Sequence, residues 1–199
     1  MKRLVLSMLA AATVAAALPA CAPLIVGGAA VGVLAAIDRR TPGAQIDDEA
    51  IQLKAGQRIS EALGERAHVN VTSYNRQVLL TGEVPSEQAK AQAEQIASRV
   101  DNVKGIVNEL GVMPATNLAQ RSTDTLVTGK VKASIVDAKD LYVGAFKVVT
   151  ERGVTYLMGR VTQREADQAT QITRTISGVQ RVVRIFEIIS DDELRQLTK

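Results

Sequence analysis

The 199-residue sequence contains one cysteine, one histidine and no tryptophan, together with three tyrosines and two phenylalanines. Because Cys21 is the only cysteine, no intrachain disulfide can form. His68 has no second histidine and no nearby cysteine with which to complete a zinc site, so we predict a structural or solvent-exposed role for it. We predict no metal and no cofactor. With so few aromatic side chains, the core must be built from Val, Ile, Leu and Ala.

The N-terminal segment is typical of an exported protein. The basic residues Lys2 and Arg3 precede an apolar run over residues 4–18, which is too short for a membrane-spanning helix. The Leu-Pro-Ala-Cys sequence that ends at Cys21 resembles the bacterial lipobox, in which the cysteine becomes the first mature residue and carries the lipid. We therefore expect residues 1–20 to be a signal peptide and Cys21 to be lipidated. A free thiol or an intermolecular disulfide are the alternatives for Cys21.

A tether follows the signal. In the lipoproteins that this pattern resembles, an Asp after the lipidated cysteine retains the protein at the inner membrane, whereas Ala22 stands there in this sequence. That favours the outer membrane, with the protein facing the periplasm. The run from Leu24 to Ile37 is apolar, but its fourteen residues cannot cross a hydrocarbon layer of ~30 Å as a helix. We interpret residues 21–45 as a lipidated cysteine followed by a flexible tether.

Beyond the tether the sequence repeats itself. Residues 69–73 and 80–84 correspond to residues 146–150 and 157–161 at an offset of 77 residues. Each copy reads as a helix, two alternating strands joined by a tight turn, a second helix and a final strand. The order α-β-β-α-β predicts an α+β fold, in which each copy is a three-stranded mixed sheet packed on two helices.

Single residues predict where the elements of each copy turn and end. The two strands are expected to turn at Asn75-Arg76 in the first copy and at Arg152-Gly153 in the second. The second helices are expected to end at Asn102 and Gly178, since Asn and Gly tolerate the left-handed conformation. The final strand of the first copy is predicted over Gly105–Val112.

Each copy resembles a BON domain. The second copy has the Gly-x-Val of that family at residues 159–161 and its Gly-Val-x-x-Val at residues 178–182, while the first copy has Asn102 where Gly is usual. We expect a side chain at Gly159 to be costly. Lipobox, tether and two copies together resemble the dual-BON outer-membrane lipoproteins. That resemblance implies phospholipid binding and support of envelope integrity, with division sites as a candidate place of action.

The sequence offers no catalytic constellation. The acidic clusters Asp47–Glu49 and Asp191–Glu193 are each expected at the start of a helix, where capping explains them. There is no glycine-rich phosphate loop and no serine in a nucleophile elbow. The basic residues are not interleaved with aromatic ones. We therefore predict that the protein is not an enzyme and binds no nucleic acid.

The two copies carry charge of opposite sign. Residues 46–115, the first predicted domain, hold 7 Lys/Arg and 10 Asp/Glu, a net charge of −3. Residues 116–190, the second predicted domain, hold 11 Lys/Arg and 7 Asp/Glu, a net charge of +4. Residues 191–199 are predicted to form a short C-terminal helix or tail. The positive second domain suggests an acidic surface as its partner, and the anionic phospholipids phosphatidylglycerol and cardiolipin supply one.

The first helix of the second copy is the predicted lipid-binding element. Its periodicity leaves one stripe away from the sheet, made up of Leu126, Gly129, Lys130 and Ala133. A leucine beside a lysine combines partial insertion with attraction to headgroups. The alternative is that Leu126 packs under the loop at residues 140–144. A second function class is a periplasmic protein–protein adaptor for envelope assembly, which would dock an envelope protein through the acidic first domain.

Overall fold

The structure is a computed structural model that describes residues 38–197. The predicted signal peptide, the predicted lipidation site at Cys21 and the predicted tether up to residue 37 lie outside the described residues. The described residues belong to one compact unit.

The first copy contains two helices and one sheet. Its elements are α1 (Pro42–Leu63), β1 (His68–Tyr74), β2 (Gln77–Val84), α2 (Glu87–Ser98), β3 (Gly105–Asn108) and β4 (Gly111–Val112). Strand β2 is central, because β1 pairs with it in antiparallel orientation and β3 and β4 pair with it in parallel orientation.

The second copy repeats this arrangement. Its elements are α3 (Leu118–Asp137), β5 (Phe146–Glu151), β6 (Val154–Val161), α4 (Gln163–Arg174) and β7 (Arg181–Ile188), after which a short helix, α5 (Asp191–Leu197), follows. Strand β6 is central, antiparallel to β5 and parallel to β7. Both copies therefore have the predicted α-β-β-α-β order and a mixed sheet, and the α+β prediction is confirmed.

The final strand of the first copy is interrupted, which the sequence did not predict. Instead of one strand over Gly105–Val112, β3 ends at Asn108 and β4 begins at Gly111. The Asn108 side chain accepts a hydrogen bond from the Leu110 backbone N–H, at 3.3 Å, and this local contact competes with regular strand pairing. Leu110 packs into the core instead, with only 2% of its surface exposed.

A buried aspartate on each first helix fixes the turn between two strands. Asn75 and Arg76 both have positive φ, as the predicted tight turn requires, and their backbone N–H groups donate to the Asp48 carboxylate at 2.8 and 2.7 Å. Asp124 of α3 accepts from the equivalent turn at Arg152 and Gly153. The two aspartates are 76 residues apart, and the other buried residues of α3 likewise lie 76 residues after buried residues of α1, which shows that the helices repeat at an offset one residue shorter than that of the strands.

The prediction that Asp47–Glu49 caps a helix start is therefore wrong. The helix begins earlier, at Pro42, with the side chain of Thr41 as its N-cap, so Asp48 lies in the second turn and faces the neighbouring strands. The cluster Asp191–Glu193 does form the first turn of α5, as expected.

Three backbone positions behave as the sequence predicts. Asn102 and Gly178 follow the second helices with φ of 68° and 100°, in the left-handed region. A Cβ atom at Gly159 would collide with the backbone carbonyl oxygen of Ala145, so a side chain there is costly.

The two sheets pack against each other. Strand side chains alternate between faces, so Val78 and Leu80 of β2 join the core beneath α1 and α2, while Leu79 points to the other face. That other face meets the second sheet through a shared cluster, whose buried members are Tyr74, Leu79, Tyr156 and Met158. The helices of each copy therefore cover the outer faces of a two-sheet sandwich, and α3 lies on the side opposite α1.

The segment before α1 is fixed to the second domain. Arg39, with 2% of its surface exposed, forms a bidentate pair with the buried Glu165 at 2.7 and 2.8 Å. Arg39 also donates to the backbone carbonyl of Arg160, whose side chain donates to the carbonyl of Arg39. Residues 38–45 are thus part of the folded unit, and α1 begins within the segment that the sequence analysis assigned to the tether.

Candidate functional site

The outward face of α3 carries an uncovered apolar stripe. The helix turns Asp124, Val127, Val131 and Ile135 toward its own sheet. All four residues predicted for the stripe are exposed, including Leu126 with 67% of its surface accessible. Leu126 is therefore not packed under the loop at residues 140–144, and that alternative is wrong.

The stripe is longer than predicted from the sequence. Leu118 is 79% exposed and Val136 is 56% exposed, and the helical period places both on the same side as Gly129. The same period places Lys130 along one edge of the stripe and Lys132 along the other. A helix that is apolar both toward its sheet and toward solvent, with lysines beside its outer stripe, suits contact with an apolar layer under anionic groups.

The equivalent face of α1 differs in the placement of its apolar groups. At the offset of 76 residues between the first helices, Ala50 occupies the position of Leu126, Leu53 that of Gly129 and Lys54 that of Lys130. Ile46 and Leu53 are 70% and 72% exposed, and their exposure was not predicted from the sequence. Because this face lies on the opposite side of the sandwich, one flat surface cannot contact both helices together.

A second group of charged residues lies between the two domains. Glu83 of β2, fully buried, accepts from Arg152 of the second domain at 2.8 Å and lies 3.2 Å from the Nδ1 atom of His68. Burial acts to raise the pKa of Glu83, but the hydrogen bonds of Arg152, Thr116 and His68 outweigh it, so this pKa lies below its ordinary value. The pair therefore joins the domains as a charged contact.

Glu151 of β5 is also buried at this boundary, with 4% of its surface exposed. Its carboxylate accepts from the Asn70 side chain at 2.9 Å. Burial raises the pKa of Glu151, and the nearby negative charge of Glu83 acts in the same direction, against the lowering effect of Asn70. Among the described residues, one His/Asp/Glu/Cys group has the spacing of metal ligands, and it consists of His68, Glu83 and Glu151.

The two copies match the family model of the BON domain, over residues 47–114 and 123–189. The chain belongs to the BON domain family. The BON domain is not an enzymatic module, so this membership confirms the prediction that the protein is not an enzyme.

Several relatives share most of the chain. It is 37% identical over 174 residues to the Outer membrane lipoprotein DolP of Haemophilus influenzae, covering 86% of this chain and 90% of the relative. It is 30% identical over 155 residues to the 21 kDa hemolysin of Actinobacillus pleuropneumoniae, covering 77% and 80%. It is 28% identical over 145 residues to the Osmotically-inducible protein Y of Escherichia coli, covering 69% and 70%. The two-copy organisation therefore resembles that of a dual-BON lipoprotein.

Within residues 38–197, every helix is too short or too polar to span a bilayer.

Proposed function

We propose that this protein is a lipoprotein of the outer membrane, anchored through Cys21 on the periplasmic side, which binds anionic phospholipid through the outer face of α3 and so supports envelope integrity. The observation that carries the proposal is the uncovered stripe around Leu126 with lysines along its edges. The relative named as an outer membrane lipoprotein supports the location.

The free energies expected for these side chains indicate moderately strong binding of α3 to a membrane surface. Transfer of one leucine side chain out of water contributes about 1.5–3 kcal/mol, and each basic side chain near an anionic surface contributes about 1 kcal/mol. Leu118 and Leu126 with the flanking lysines are thus enough for reversible binding beside a permanent lipid anchor.

Leu126→Glu is expected to weaken binding to vesicles of phosphatidylglycerol and phosphatidylcholine by at least about tenfold, because it removes an inserting group and adds a repelled charge. Flotation of the fragment 38–199 over a series of lipid concentrations measures this. The fragment must begin by residue 38 to keep Arg39, and it omits the apolar run at residues 24–37.

The chain provides a matched control. Leu53→Glu makes the same change at an equally exposed leucine on the opposite side, and it is expected to leave vesicle binding unchanged. Lys130→Ala should weaken binding about fivefold at low salt and less at high salt, whereas Lys54→Ala should not. Wild-type binding by a Leu126→Glu variant with an unchanged circular dichroism spectrum contradicts the lipid site.

Cys21→Ala is expected to prevent lipoprotein processing and to move the protein out of the outer-membrane fraction. Membrane fractionation with metabolic labelling by palmitate tests this. A variant that is still cleaved after residue 20 and still fractionates with the outer membrane argues against the anchor.

A second candidate function is the protein–protein adaptor. The exposed Ile46 and Leu53 on the net negative first domain support it. If Leu53→Glu rather than Leu126→Glu impairs the envelope in cells while vesicle binding is retained, the adaptor function replaces lipid binding as the main role.

A further inference from the structure

Three metal-binding side chains meet where the two domains touch. His68 and Glu83 lie on adjacent strands of the first domain, and Glu151 ends strand β5 of the second. One nitrogen or oxygen atom from each residue lies within 4.8 Å of the other two. Because strand pairing and the sheet-to-sheet contact hold these residues in place, their proximity is a property of the fold.

The spacing of His68 and Glu83 is that of two ligands on one ion. Their Nδ1 and Oε2 atoms are 3.2 Å apart. Two ligands at ~2.0–2.2 Å from a tetrahedral zinc ion are separated by about 3.3 Å. Arg152 donates to Oε1 of Glu83, whereas Oε2 faces His68 and also accepts from the backbone N–H and the hydroxyl of Thr116 at 3.1 and 3.2 Å. An ion would replace the present His68–Glu83 contact without disturbing the Arg152 pair.

Charge also favours a cation at this place. Arg152 pairs with Glu83 at 2.8 Å, whereas the buried Glu151 carboxylate accepts a hydrogen bond from the uncharged Asn70 side chain at 2.9 Å. A buried carboxylate is costly unless a positive group or a metal balances it. A divalent ion between His68, Glu83 and Glu151 supplies that balance.

The site can be reached from solvent. His68 and Glu151 line an open cleft of about 410 Å³ between the domains, together with Asn70 and Arg121. The cleft leaves room for a water molecule as a fourth ligand. An imidazole nitrogen with two carboxylates is a ligand set that suits Zn²⁺ and other first-row transition ions rather than Ca²⁺ or Mg²⁺.

We propose that His68, Glu83 and Glu151 bind one Zn²⁺ ion, which links the two domains across their interface. This proposal is independent of the lipid-binding face, because His68, Glu83 and Glu151 all lie on strands and none of them lies on α3. Its consequence is a tighter two-domain unit in the metal-bound protein.

Because His68 is the only histidine, one imidazole reports on the site. The experiment uses the full-length lipoprotein, without an affinity tag, in detergent. Addition of one equivalent of ZnCl₂ is expected to shift the imidazole NMR signals of His68, and calorimetry is expected to give one bound ion per chain. MgCl₂ at the same concentration should leave the signals unchanged.

Two conservative variants test the ligands. His68→Gln and Glu151→Gln keep the approximate size of each side chain, and each is expected to weaken Zn²⁺ binding at least about tenfold. Glu94→Gln, at an exposed carboxylate on α2, should bind Zn²⁺ as the wild type does. Unshifted imidazole signals at one equivalent, or wild-type affinity in His68→Gln, overturns the proposal.

Discussion

Arg39→Ala destabilises the folded protein by about 3–5 kcal/mol, the usual cost of removing one partner of a buried ion pair. The reason is that Glu165 is left as a buried charge, since the arginine supplies both of its charged hydrogen bonds at 2.7 and 2.8 Å. Equilibrium urea unfolding measures the change. Arg164→Ala is the matched control, because Arg164 is exposed and lies 3.9 Å from Asp140; its effect should be below about 1 kcal/mol.

The pH dependence of stability reports on the same pair. Burial acts to raise the pKa of Glu165, but the hydrogen bonds and charge of Arg39 prevail, so its folded-state pKa lies below the ordinary value of 4.5. The stabilisation is therefore present above the unfolded-state pKa and is lost as the pH falls through the folded-state pKa. As the pH falls below about 4.5, the free energies of unfolding of the wild type and Arg39→Ala should approach each other. A constant difference down to pH 2 would exclude this pair as the cause.

Asp48→Ala is expected to cost at least about 3 kcal/mol. Its carboxylate, 1% exposed, accepts from Ser73 and from the turn N–H groups of Asn75 and Arg76, and it also pairs with Arg40. Hydrogen bonds to a charged group contribute about 1.5–3 kcal/mol each, and removal of the acceptor leaves the donors unsatisfied.

Glu49→Ala separates this effect from loss of negative charge on α1, because Glu49 is exposed on the same helix. Its cost should be below about 0.5 kcal/mol. Thermal and urea unfolding of both variants compare them. Equal stability of Asp48→Ala and Glu49→Ala would show that the carboxylate does not fix the turn.

The sequence predicts the elements of the fold because each depends on local chemistry. The offset of 77 residues identifies two copies, and the periods of two and 3.6 residues identify strands and helices. The tight turns and the breaks at Asn102 and Gly178 follow from residue types that tolerate positive φ. Leu126 could be predicted as exposed because the same helix has a clearer apolar stripe on its other side.

Contacts between distant residues could not be predicted in the same way. Arg39 and Glu165 are 126 residues apart, and nothing in the local pattern around either one identifies the other. The sheet-to-sheet contact did leave a signal: Val78, Leu79 and Leu80 are consecutive apolar residues, which indicates a strand buried on both faces. Asp48 and Asp124 occupy equivalent positions of the two first helices, so an alignment of those helices at an offset of 76 residues, over polar as well as apolar positions, would have found them.

The packing of one sheet on the other also limits how the two halves of the gene can change. A substitution at Leu79 alters the surface on which Tyr156 and Met158 pack, so we expect substitutions on the two inner faces to be coupled. Deletion of either domain would expose the apolar inner face of the other. The outward faces of α1 and α3 do not pack on each other, so a substitution on one face does not constrain the other. Mutations can therefore adapt α3 to one ligand and α1 to another. Leu126 on α3 and Ala50 at the equivalent position of α1 are an example of such a difference.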